Sequence, residues 1–225
     1  MGTNAHFSIV ILTAPPITTL EGGGAFVKVD GRECLLRSVE LFLNRENVKQ
    51  IQVVFTQDAA EEAKRRHGAH LSFSGVKVAI GGPDWMDQLT AAAANITDEA
   101  THVLIHDSAR PVVPFGDIDR LMAQAEKGIA TLALPVPGRV LHDGKDLPGE
   151  IWVMQGMEIY DIQRFRKMVA EKLPVPAKEM ELVKGSMLNV RCNSTGDASM
   201  VKAMLNMLPK PKKNALSNPF EEAQW

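Results

Sequence analysis

The chain has 225 residues, 45% of them hydrophobic and 23% charged, which suits a single soluble domain with a sizeable buried core. A formal net charge of −2 and a pI near 6.3 exclude a general attraction to nucleic acid or to acidic membrane, and leave small molecules and proteins as the expected partners. The two cysteines, Cys34 and Cys192, have neither CxxC nor metal-ligand spacing; they exclude a disulfide framework and read as reduced thiols of a cytoplasmic protein.

Residues 7–13, FSIVILT, form a continuous apolar run rich in β-branched side chains. It is much too short to span a bilayer and lacks the flanks of a targeting segment, and it fits a strand buried on both faces of a parallel sheet. The turn after it, where a nucleotide-binding protein places its phosphate cradle, carries Pro15, Pro16 and two threonines. Residues 33–44 place Leu35, Leu36, Val39, Leu41 and Phe42 on one side of a helix. A second strand is expected over 50–56, then a helix N-capped by Asp58 and closed by Gly68. A strand over 76–80 precedes a helix over 83–95, with Pro83 in the first turn where its missing N–H costs nothing. The strand 101–107, the helix 115–127 and the strand 129–136 complete the regular alternation. Strands separated by helices of this length imply right-handed crossovers and a mostly parallel, doubly wound sheet, an α/β three-layer sandwich.

After Val136 the rhythm breaks. Residues 138–152 read as a hairpin or arm with Asp-Gly at its turn. A helix is expected over 158–172, short strands over MELVKG and NVRC, and a last amphipathic helix over 196–208. The domain is therefore drawn over 6–208, with a polar, Pro- and Lys-rich tail over 209–225 expected to be mobile.

Ligands of such sheets bind beyond the carboxyl ends of the strands. In IHDSARPVVP, Asp107 stands at a strand tip with Arg110 three residues on: a carboxylate able to hold Mg²⁺ beside a guanidinium able to hold a phosphate. Equally, Asp107 can cap a turn and pair with Arg110. The glycines of GGPDW precede a helix N-terminus, which can hold an anion or simply form a turn.

Taken in order, GGPDW, HDSARP, LPVPGRV, IWVMQ and VKGSMLNVR make the sequence resemble the 2-C-methyl-D-erythritol 4-phosphate cytidylyltransferases over residues 8–208, and HDSARP is the most specific match. The resemblance implies a nucleotide-diphospho-sugar transferase-like fold and a reaction that joins CTP to a sugar-alcohol phosphate with loss of pyrophosphate, aided by Mg²⁺. It implies that Asp107 holds the metal and, with Arg191, belongs to the catalytic set, Arg191 standing for the family's Lys. It also implies that Arg110 and Arg139 contact the acceptor substrate, and that Ala14, Pro15, Gly82 and Gln88 occupy nucleotide-binding positions.

The departures from the family pattern concentrate on the nucleotide. Pro15 and Ile17 replace the loop glycines, Thr19 its Arg, and Gly23 and Gly24 the Pro-Lys that follows; proline lacks an N–H and isoleucine resists positive φ. Lys28, four residues on, is an unconvincing substitute for the lost lysine. Trp85 stands for an Arg, Gln88 for a nucleotide-contacting Ser, and GME (156–158) for Thr-Pro-Gln; LPVPAKEM replaces a helix, and the dimerisation arm is shortened, leaving room for a homodimer. The expectation is a cytidylyltransferase-like protein with impaired or lost activity and weak or absent CTP binding, or alternatively a non-catalytic protein that binds a phosphorylated metabolite or a protein partner. Arg110, Arg139 and Arg191 could converge around Asp107 as a pocket for a small anion, or Asp107 could neutralise one arginine while the others reach solvent; Asp107 and Arg191 are expected at the ends of strands on one edge of the sheet.

Overall fold

The structure, a computed structural model, describes residues 5–14 and 22–209. Its elements in chain order are β1 (Phe7–Leu12), β2 (Lys28–Val29), β3 (Arg32–Glu33), α1 (Cys34–Glu40), β4 (Val48–Thr56), α2 (Ala60–Phe73), β5 (Lys77–Gly81) and α3 (Trp85–Ala93). There follow β6 (His102–Asp107), α4 (Phe115–Met122), β7 (Ile129–Pro135), β8 (Leu141–His142), β9 (Lys145–Asp146), β10 (Trp152–Asp161), α5 (Ile162–Glu171), β11 (Glu181–Lys184) and α6 (Ala198–Met207).

Seven strands form one sheet in the order β11-β7-β10-β6-β1-β4-β5. All pairs are parallel except those of β10, which runs antiparallel to both β6 and β7. The continuous apolar run of β1 is buried on both faces. Phe7, Ile9 and Ile11 pack into one core with Leu35 and Val39 of α1, Leu71 of α2 and Leu121 of α4. Val10 and Leu12 pack into a second core with Leu89 of α3 and Phe165 of α5. Period-two alternation thus divides one strand between two helical layers, and each fully buried side chain of this kind contributes roughly 1.5–3 kcal/mol. A third, smaller cluster joins Val29, Cys34, Val112, Cys192 and Val201 of α6.

The chain runs from β1 outward through β4 to β5, then returns to place β6 on the other side of β1. That reversal makes the carboxyl ends of β1 and β6 a topological switch point, the position at which open α/β sheets bind ligands. Leu12 pairs with Asp107 across these two strands and its carbonyl accepts from the Ser108 N–H at 3.0 Å, so Thr13 and the turn after Asp107 lie side by side there.

Several sequence expectations shift. Asp58 does not cap α2; Ala59 holds that position without a side-chain cap, and the helix continues through Gly68 to Phe73. Ala63, His67 and Leu71, buried at a spacing of four, continue the packed face past Gly68, and that burial outweighs the roughly 1 kcal/mol helix cost of a glycine. The expected helix over 158–172 begins only at Ile162, where the Asp161 carboxylate accepts hydrogen bonds from the N–H groups of Gln163 and Arg164; residues 158–161 complete β10, held on both sides by β6 and β7. NVRC is not a strand. In the arm, β8 and β9 do form the expected hairpin, with Asp143 and Gly144 at φ 51° and 75°, as a two-residue Asp-Gly turn demands. Expectations for Pro15, Ile17 and Thr19 and for residues 210–225 lie outside the described residues. Among the described residues no helix is long and apolar enough to cross a membrane.

Candidate functional site

Asp107 ends β6 almost fully buried, at 2% exposure. Its Oδ1 accepts from the Ala109 N–H at 3.0 Å, and its carbonyl accepts from the Arg110 N–H at 3.0 Å. The turn capping anticipated from HDSAR is therefore present. Oδ2 faces two guanidiniums: Arg191 Nε donates to it at 2.8 Å, and Arg110 Nε lies 3.6 Å away. Arg110 Nη1 donates to the Asn189 carbonyl at 2.9 Å and Arg191 Nη1 to Asn193 Oδ1 at 2.7 Å. Both arginine side chains are largely buried, at 14% and 6% exposure.

Among the described residues, Arg110 and Arg191 both face the Asp107 carboxylate. Burial, opposed by Asp107 but reinforced by Arg191, lowers the Arg110 pKa from its ordinary value. His106, wholly buried and edge-on to Phe42, adds no charge, because burial and then the Arg110 guanidinium push its pKa down to about 3.

The Arg191 loop is brought here by contacts distant in sequence. Cys192 N–H donates to the Ala109 carbonyl at 2.8 Å, Ser186 N–H to Asp117 Oδ2 at 2.7 Å, and Gln155 Nε2 to the Ser186 carbonyl at 2.8 Å. Arg191 therefore reaches Asp107 from a loop and not, as expected, from a strand end. Gly156, which carried no site role in the sequence, proves essential to the corner. At φ 65° it lets β10 pass so close that an added Cβ would lie 2.9 Å from Arg110 Nε and 3.1 Å from Asp107 Cβ.

Arg139 does not join this corner. Its Nε and Nη2 fork onto Asp146 at 3.0 and 2.7 Å, because the β8–β9 pairing folds the arm back on itself, and the side chain is 81% exposed. Of the two readings left open, neither holds for all three arginines: Arg110 and Arg191 meet Asp107, and Arg139 reaches solvent on the arm.

At the end of β1, the Gln88 side chain of α3 is fully buried. Its Oε1 accepts from the N–H groups of Thr13 at 3.0 Å and Ala14 at 3.1 Å, and its Nε2 donates to Thr13 Oγ1 at 3.3 Å. Both glycines of GGPDW have packing reasons. An added Cβ at Gly81 would lie 2.8 Å from Gln88 Cα, and one at Gly82 would lie 2.7 Å from Asp87 Cβ. The N-cap of α3 is Asp84, accepting from the Asp87 N–H at 2.8 Å. Trp85 packs against the second core and lines a cavity of about 380 Å³ with Leu89, Met154, Glu158 and Tyr160. At Gly24 no side chain fits, since an added Cβ would lie 2.9 Å from the Cys192 carbonyl carbon and 3.0 Å from Ala109 Cβ.

The donors around Asp107 do not suit a resident magnesium ion. Both carboxylate oxygens are engaged, one of them by a guanidinium, and a dication would have to displace Arg191. Among the described residues no group of three or more His, Cys, Asp or Glu is placed to hold a metal.

The model of one protein family, IspD, 2-C-methyl-D-erythritol 4-phosphate cytidylyltransferase, matches residues 19–145. A protein of that name from Clostridioides difficile is 22% identical over 93% of this chain and 98% of its own length. One from Rhodopirellula baltica is 27% identical over 80% and 86%. Among solved structures, 4-diphosphocytidyl-2C-methyl-D-erythritol synthase from Anaerococcus prevotii superposes with a TM-score of 0.73 at 15% identity, covering 90% of this chain and 99% of that one. The 2-C-methyl-D-erythritol 4-phosphate cytidylyltransferase of Thermus thermophilus superposes with a TM-score of 0.70 at 21% identity, covering 89% and 99%. These superpositions agree with the expected mostly parallel α/β sandwich.

Proposed function

The chain belongs to the 2-C-methyl-D-erythritol 4-phosphate cytidylyltransferase family, and from that premise we propose that it retains a corner for a small phosphorylated molecule while CTP activation is impaired or absent. The observation that carries this reading is the largely buried Arg110, whose Nε has no hydrogen-bond partner among the described residues and stands 3.6 Å from Asp107. That guanidinium lies just beyond the carboxyl end of β6, at the switch point of the sheet, where a phosphate can accept from it. In this role Asp107 orients both arginines, Arg110 contacts the acceptor's phosphate, and Arg191 is the cation nearest the reacting oxygens.

The family reaction is an attack of the acceptor's phosphate oxygen on the α-phosphorus of CTP with departure of pyrophosphate. It needs cations and N–H donors along the triphosphate. Pro15, Ile17 and Thr19 remove such groups from the first loop, Gly24 admits no side chain, and Trp85 puts an indole in the apolar layer where the family has a cation. Loss of one stabiliser of this kind costs ~100-fold or more in rate, and here several are lost together. The same corner serves the alternative reading, a non-catalytic binder of a phosphorylated metabolite.

Incubation with each nucleoside triphosphate, Mg²⁺ and 2-C-methyl-D-erythritol 4-phosphate should release no pyrophosphate above the protein-free rate, and calorimetry should find no micromolar binding of CTP. Sustained release, or micromolar binding, overturns the impairment. Inorganic phosphate should bind with modest affinity that falls as salt is added. Arg110→Ala should abolish most of that binding and Lys28→Ala, on the exposed edge of β2, should not. Equal loss in the two variants, or no phosphate binding by the parent, overturns the anion corner.

A further inference from the structure

We propose that the cavity lined by Trp85 and Glu158 is a binding site for a small organic amine, its ammonium group beside Glu158 and its apolar body among Trp85, Met86, Met154 and Met180. The cavity holds about 380 Å³, which is within the range of small-molecule sites, and it shares no residue with the Asp107 corner. Three departures from the family pattern, far apart in the chain, meet in it. Trp85 stands where the family has an Arg, Glu158 closes the GME that replaces Thr-Pro-Gln, and Pro174, Val175 and Met180 belong to the LPVPAKEM that replaces a helix. The fold brings them together from three directions: α3 supplies Trp85 and Met86, and the segment after α5 supplies residues 174–180. From β10 come Met154, Glu158 and Tyr160, separated by even numbers of residues.

The charges of the lining select the ligand. Asp84 and Glu158 both face the cavity, and among the described residues no Lys, Arg or His does. Asp84 is exposed and accepts from the Asp87 N–H in capping α3, whereas Glu158 is partly buried. The Tyr160 hydroxyl donates to Glu158, and among the described residues no cation pairs with it. An ionised carboxylate offers about four lone-pair sites, so acceptor capacity remains. Burial raises the Glu158 pKa and the Tyr160 hydrogen bond opposes the rise; an ammonium placed here offsets the burial. A phosphate or carboxylate ligand would instead meet like charge. A hard metal ion would lack the six or so oxygen ligands it requires. The rest of the lining is soft: an indole and several thioethers, which suit both a hydrocarbon body and the cation attached to it.

Benzylamine, benzyl alcohol and benzoate share a ring and differ in charge, so they serve as probes. Each is titrated by calorimetry into the parent and into Glu158→Gln, which restores the family's residue and keeps an acceptor for Tyr160, while NMR follows the Trp85 indole N–H. Benzylamine should bind the parent at least about tenfold more tightly than benzyl alcohol, the equivalent of one charge-assisted hydrogen bond. Benzoate should not bind, and the Trp85 resonance should move with benzylamine. In Glu158→Gln the amine should lose its advantage while benzyl alcohol binds as before. Equal affinity of the parent for amine and alcohol overturns the inference, since Glu158 is then the protonated acid of a merely apolar cavity. Benzylamine binding that leaves Trp85 unmoved, or an advantage undiminished in the variant, overturns it as well. If Glu158→Gln does not fold, the probe comparison and the Trp85 shift in the parent decide the matter. Inorganic phosphate should bind parent and variant alike; absence of phosphate binding beside a retained preference for the amine sinks the Asp107 corner alone.

Discussion

His106 of β6 is wholly buried and meets the ring of Phe42 edge-on. Its pKa is pushed down to about 3 by burial and by Arg110, against an ordinary value near 6.5 in the unfolded chain. The unfolded state therefore binds the proton first, and stability falls as pH drops below about 6.5, continuing until the folded pKa is reached. His106→Leu removes this dependence. Urea denaturation at pH 7.5 and pH 5 should show the variant gaining about 2 kcal/mol on the parent at the lower pH; a pH-independent difference would mean that the imidazole is not held neutral. Gly156 and Gln88 show why residue types alone did not reveal the whole site. A glycine earns a role only through what packs on it, here Arg110 and Asp107, and a glutamine on an amphipathic helix gives no sign of which backbone it will reach.

Helix α2 and strand β10 show the same competition between local signal and packing. Gly68 looks like a helix stop, yet it lies inside α2 with nothing within 4 Å of an added Cβ. Gly68→Ala should therefore stabilise the protein by about 1 kcal/mol, read as a higher urea midpoint with an unchanged slope; destabilisation would show that the helix does not pass through residue 68. In β10, Met157 and Ile159 face the core that holds Phe7, Ile9 and Ile11 of β1, while Tyr160 faces the one that holds Val10 and Leu12. Glu158, on the same side as Tyr160, accepts a hydrogen bond from its hydroxyl. This alternation is legible in the sequence, but the Asp161 cap lies so near that it also fits the start of a helix. Pairing with β6 and β7 decides for the strand up to Asp161.

At the scale of the molecule, the two cysteines of the chain, Cys34 on α1 and Cys192 in the Arg191 loop, become neighbours in the third apolar cluster. Burial pushes both thiols up from their ordinary value, which suppresses the reactive thiolate. A water-soluble aromatic disulfide reagent at pH 8 should label neither in the native protein and both together in urea; rapid labelling of one thiol in buffer would show that the cluster opens locally. The alternation of strand and helix, the two-faced burial of β1 and the position of Asp107 at a strand tip were legible from residue order, because each depends on periodicity over a few neighbours. HDSAR also carried its own turn, since the contacts that close it span two or three residues. The partnership of Asp107 with Arg191 spans 84 residues and that of Gln88 with Thr13 spans 75. Arg139, by contrast, is held by Asp146 only seven residues away and is kept from the corner to which motif order assigned it. Local patterns set which way a side chain points from its own strand or helix. Which loops share a crevice depends on the order in which strands enter the sheet, and that order is settled by the burial of both sheet faces at once.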